Sequence, residues 1–146
     1  MKDLEITIGC ILSMEQGNID RLSNLLAEDA IFCGPVPRPL NKCAFLALIA
    51  HLQRGFPNWK LHFRKVEVDG PFVRMIIEAT GAHLRTLHLP GMLPHLPTGE
   101  SFHLPPQQIE FYLECNKIRR IHLEPVQGGW IDGIMDQLEI PYPTMN

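Results

Sequence analysis

Residues 61–83 read LHFRKVEVDGPFVRMIIEATGAH, and where this stretch begins the hydrophobic period has changed from 3.6 to 2. Leu61 to Val68 alternates as a strand, and Asp69-Gly70 is a turn signal. Residues 72 to 83, rich in Val, Ile and Met, make a second strand. Upstream the pattern is helical. Leu4, Ile8, Ile11, Leu12 and Glu15 share one face of a helix over 4–16, which Gly17 ends. Asn18 can cap a helix over 19–27 that carries Ile19, Leu22, Leu25 and Leu26. Ala30-Ile31-Phe32 reads as a short strand, and Pro35, Pro37 and Pro39 forbid regular structure after it. Asn41 caps a third helix with Phe45, Leu48, Ile49 and Leu52, closed by Gly55.

Downstream, a proline-rich stretch from 84 to 106 is the longest irregular segment and is expected to act as a lid or binding loop. Strands over 107–114 and 117–124 flank a tight turn at Cys115-Asn116, and residues 128–138 form a last helical turn or two. Helices first and antiparallel strands after them give an α+β fold, with helices on one face of a sheet. The chain is expected to be a single domain over 1–146.

Composition narrows the function. Thirteen Lys and Arg against sixteen Asp and Glu give a net charge of −3. A general nucleic-acid binder carries a basic excess, so that class is not expected. No apolar run reaches membrane-helix length, and Lys2, Asp3 and Glu5 do not resemble a secretory signal. A cytoplasmic protein without membrane attachment is expected. Cys10, Cys33, Cys43 and Cys115 show no Cys-x-x-Cys spacing and are read as reduced, mostly buried thiols.

Several segments then resemble, in order, the SnoaL-like polyketide cyclases of the nuclear-transport-factor-2-like superfamily. These are Gln16-Gly17-Asn18-Ile19-Asp20, Leu26-Ala27-Glu28-Asp29-Ala30, Gly70-Pro71-Phe72-Val73, Thr80-Gly81-Ala82-His83, Leu96-Pro97-Thr98-Gly99, Lys117-Ile118 and Ile134-Met135-Asp136-Gln137-Leu138. The resemblance implies a cone-shaped fold, a curved antiparallel sheet wrapped on N-terminal helices, usually dimeric, with a deep apolar pocket. It implies an intramolecular aldol closure without metal or cofactor, run by a carboxylate on the last strand and a histidine on the strand before it. Aligned through Lys117-Ile118, those two positions hold Leu123 and Ile109. Neither can move a proton.

Strand alternation gives an independent reading of the site. Met75, Ile77, Ile109, Phe111, Leu113, Ile121 and Leu123 fall on the face turned to the helices, and with Trp59 they are the expected substrate-binding residues. His83 is the polar exception on that face, read either as a proton shuttle or as a strand-end histidine satisfied by loop carbonyls. Glu124 falls on the opposite face and joins His83 as a catalytic candidate through a local bulge that would turn it inward. His88, His95 and His103 follow no metal-ligand spacing, so no metal is expected. Glu78, Glu110, Tyr112, His122 and Glu124 form an outer sheet face that could pair two copies of the chain or stand solvated.

Three functions compete. One is a cofactor-free cyclase, isomerase or dehydratase acting on a small hydrophobic carbonyl compound. The second is a non-catalytic module binding a small apolar ligand, and the third is a dimeric interaction protein.

Overall fold

The computed structural model describes residues 2–141. Helices α1 (Lys2–Gln16) and α2 (Ile19–Leu25) are followed by strands β1 (Leu26–Cys33) and β2 (Leu40–Asn41) and by helix α3 (Lys42–Gly55). Then come β3 (Lys60–Asp69), β4 (Phe72–Ala82), β5 (Ser101–His103), β6 (Gln107–Glu114), β7 (Lys117–Leu123) and α4 (Trp130–Gln137). The sheet runs β2-β1-β7-β6-β4-β3, with β5 beside the end of β4. β6 and β5 occupy the same edge of β4 in succession, and Pro105-Pro106 separates them. The α+β class is as expected. The sheet is antiparallel except where β1 runs parallel to β7.

The local signals are realised as hydrogen bonds. Asn18 Oδ1 accepts from the Arg21 amide at 3.2 Å, and Asn41 Oδ1 accepts from the Ala44 amide at 2.8 Å. Cys115 and Asn116 both take positive φ, the conformation of a tight hairpin turn.

Three differences have physical causes. The second helix stops at Leu25 instead of 27, because Leu26 pairs with Ile118 of β7 and starts the strand early. The buried face of α1 holds Ile6, Cys10, Ile11 and Met14, and it leaves Leu12 38% exposed. The hydrophobic count missed this phase because Thr7 and Ser13 also lie on the buried face. Their hydroxyls donate to the carbonyls of Asp3 and Gly9 at 2.8 and 2.7 Å, so they are satisfied within the helix. Lastly, segment 84–106 is partly ordered by pairing: β5 joins β4, and Leu87 bridges His95. Leu87 and Leu89 are buried, and each such burial contributes roughly 1.5–3 kcal/mol.

The core lies between helices and sheet. Val73, Met75, Phe111, Leu113, Ile118 and Ile121 are all buried. A register shift after Tyr112 brings Leu113 opposite Ile118. It sends Ile118 inward and leaves Arg119 part-exposed, where strict alternation puts Arg119 on the inner face. Two of the four cysteines, Cys43 and Cys115, are exposed, contrary to the expected burial. Cys10 is fully buried, and burial pushes its thiol up to about 12. No helix among the described residues is long and apolar enough to cross a membrane.

Candidate functional site

Between helices and sheet lies a cavity of about 60 Å³, bordered by Trp59, Ile77, Ile109, Ile121 and Leu123 among others. A cavity of that size admits a few waters, whereas pockets for drug-sized ligands measure about 300–1,000 Å³. Three residues expected on its wall are elsewhere. Met75, Phe111 and Leu113 are 1%, 0% and 3% exposed and lie deeper in the packed core, not at the cavity. Alternation finds the inward face, but how far along that face packing closes depends on side chains from other elements. Trp59 is fixed by its indole N–H, which donates to the Met14 carbonyl at 3.2 Å. The polar side chain on the cavity wall is Gln107, whose amide donates to the Glu124 carbonyl at 3.0 Å. Among the described residues, no carboxylate or histidine borders this cavity.

Ile109 and Leu123 face one another directly across β6 and β7. Glu110 pairs with His122 on the outer side, so neither strand is slipped by a residue. Glu124 lies beyond the end of β7 with an exposed side chain, and its amide donates to the Gln108 carbonyl at 2.8 Å. The bulge that could have turned it inward is absent there; the register shift in β7 falls at the other end of the strand. Glu124 is therefore not brought to the cavity.

His83 is buried at 0% exposure and does not border the cavity either. Its Nδ1 accepts from the Thr98 amide at 3.3 Å and lies 3.2 Å from the Thr98 hydroxyl. The ring packs edge-on against Phe56, and Nε2 has no hydrogen-bond partner among the described residues. Burial lowers its pKa most; the backbones of His95 and Arg85 oppose this, and the charge of His95 adds to it. His83 thus ties strand end to loop. Of the other loop histidines, His95 lies close enough to act on His83, His88 packs edge-on against His51, and His103 Nε2 meets Glu78 at 3.0 Å. Among the described residues, no group of three or more His, Cys, Asp or Glu is placed to hold a metal ion.

A larger space lies outside the cone mouth, where sequence reasoning did not place one. A cleft of about 560 Å³ runs between the Pro35–Leu40 turn, Ala44, Ala47 and Leu48 of α3, Leu89-Pro90 of the long loop, and the start of α4. Its lining is apolar apart from two charged residues, Arg38 and Asp132. Trp130 and Ile131 border both this cleft and the inner cavity, so they form the wall between them. Trp130 adopts φ +58, a conformation costing a non-glycine residue about 1–3 kcal/mol. Its ring stacks on Phe32 at 4.9 Å, and Phe32 stacks on Phe45 at 5.1 Å. Two glycines allow the close approaches here. Gly34, at φ +126, lies against the Leu123 carbonyl, and a Cβ at Gly133 would sit 1.9 Å from the Gly128 oxygen. The available sequence signals were three alternate prolines and an aromatic after Gly128-Gly129, which mark turns but not what the turns enclose.

The sequence model of the SnoaL-like domain matches residues 12–121. No curated protein matches the sequence. A protein from Jannaschia sp. CCS1, assigned as a SnoaL-like polyketide cyclase, superposes with a TM-score of 0.75 at 16% identity, covering 97% of this chain and 94% of that one. IdmH from Streptomyces antibioticus, assigned as a polyketide cyclase, gives 0.72 at 18% identity over 96% and 100%. TerC, co-crystallized with polyporic acid, gives 0.70 at 12% identity over 95% and 99%. At these identities the likeness is one of fold.

Proposed function

The chain belongs to the SnoaL-like domain family, and from that premise we propose that it receives a small hydrophobic carbonyl compound in the cleft at the mouth of the cone. The observation that carries this reading is the shared wall: Trp130 and Ile131 separate a cleft of ligand size from the interior cavity. An apolar body would pack on the prolines and Trp130, and its polar end would meet one of the two charges. The reaction class is that of a cofactor-free cyclase or isomerase.

A second reading is favoured by one specific observation. Ile109 and Leu123 pair across the sheet, and among the described residues no carboxylate or histidine borders the inner cavity, which suits a non-catalytic binding module. A second copy of the chain on the outer sheet face, around Tyr112 and His122, completes the proposal.

Calorimetric titration with 1-tetralone and with polyporic acid tests the site. Wild type should bind at least one of them. Ala47→Phe, which fills the cleft, should lose that binding while keeping its thermal midpoint. Binding unaffected by Ala47→Phe, or no binding of either compound by wild type, would overturn the reading.

A further inference from the structure

We infer that Asp132 and Arg38 are the reacting pair of this protein, acting on a carbonyl compound that carries an enolisable C–H bond. The inference rests on the cleft being the ligand site and adds the chemistry done there. Arg38 sits on the turn between β1 and β2, and Asp132 lies in the first turn of α4. The two come from segments almost a hundred residues apart and border one cleft. Both are exposed, and neither has an ion-pair or hydrogen-bond partner among the described residues. Elsewhere some charged groups are paired: Arg74 meets Glu110, Arg64 and His103 meet Glu78, and Arg119 meets Asp29 and Glu114. A cation and an anion left unpaired on an otherwise apolar cleft keep their hydrogen-bonding capacity for a ligand. They also supply the two functions that Ile109 and Leu123 cannot: a group that carries a proton and a donor to a developing oxyanion.

The step is redox-neutral and balanced. A carboxylate oxygen of Asp132 takes the proton from the carbon next to the carbonyl, so the C–H bond breaks and an O–H bond forms. The C–H electron pair becomes the C=C bond of an enolate, and the carbonyl π pair moves onto oxygen. The Arg38 guanidinium donates hydrogen bonds to that oxygen. Return of the proton to the far carbon of a conjugated system gives an isomer. Attack of the enolate carbon on a second carbonyl of the same molecule closes a ring, and the new alkoxide takes the proton from Asp132. No metal or cofactor is required by this electron count.

The test is deuterium exchange at the α-carbon of 1-tetralone in D2O, followed by proton NMR, with binding measured separately by calorimetry. Wild type should accelerate exchange over buffer. Asp132→Asn should bind the ketone but lose most of the acceleration, a fall of roughly a hundredfold or more for removal of a general base. Arg38→Gln should weaken both exchange and binding, and Arg38→Lys should recover part of each. Asp136→Asn, an exposed change on the same helix, should leave exchange as in wild type. Binding without acceleration by wild type, or acceleration unchanged in Asp132→Asn, would overturn this inference and leave the binding site standing. Failure of 1-tetralone to bind at all would overturn this inference, and the binding site also if polyporic acid fails as well.

Discussion

Ile109 and Leu123 are 4% and 6% exposed and lie opposite one another on adjacent strands. Introducing a polar group at either one should cost about 1–3 kcal/mol, because a single Ile109→His or Leu123→Asp leaves it unpaired. The double variant should cost less than the sum of the two, since the new side chains can hydrogen-bond across the ladder. Denaturant titration of the three variants checks this, and strict additivity would contradict it. His83 makes a second prediction at this scale. The folded chain holds its imidazole below the ordinary value, and the unfolded chain does not. The unfolded chain therefore binds the extra proton as pH falls below the ordinary imidazole value. Stability is full above that value and declines until the lowered folded value is passed. His51 acts in the same direction, lowered by burial first and then by Arg54 and His88. Unfolding midpoints at about pH 8 and about pH 5 should differ more in wild type than in His83→Gln; an equal difference would contradict the assignment. Residue roles were unevenly legible. Inward residues such as Ile77 and Ile121 followed from alternation alone. The work of His83 in holding Thr98 did not, because its partner lies 15 residues away across an irregular loop.

At the scale of elements, boundaries were readable wherever a local signal sets them, as at Asn18, Asn41 and the Cys115-Asn116 turn. They were not readable where pairing with a distant strand decides, as for Leu26 beside Ile118. The bulge in β7 belongs to the same class, since nothing in Lys117–Leu123 alone announces it. Placement of α4 is the element-scale fact on which the cleft depends, and Gly133 governs it. Gly133→Ala should destabilise by roughly 1–3 kcal/mol, because the methyl meets the Gly128 carbonyl in packed surroundings. Gly91→Ala, at φ +78 in open space, should cost only backbone strain, about 1 kcal/mol. Thermal unfolding that ranks Gly91→Ala as the more damaging change would show that α4 is not held as described.

At the scale of the molecule, the outer sheet face carries charge pairs and rings rather than an apolar plate. Arg74 Nε donates to Glu110 at 2.6 Å, and Arg120 lies over the Tyr112 ring at 5.7 Å. Hydrogen bonding to His103 and then to Arg64 holds the Glu78 carboxyl below the usual range. Val66 and Val68 of β3, each 38% exposed, belong to the other side of the sheet, since Val68 pairs with the inward Val73. Sedimentation at micromolar concentration should give twice the 16.6 kDa chain mass, and Tyr112→Glu should halve it; a wild-type monomer would dispose of the paired face. Nuclear Overhauser contacts between bound 1-tetralone and the protein's methyl groups locate the ligand on the molecule. Contacts are expected to Ala44, Ala47, Leu48 and Ile131, which line that cleft. Contacts instead to Val66 and Val68 of β3, or to none of the cleft methyls at saturation, would show that the cleft is not the ligand site.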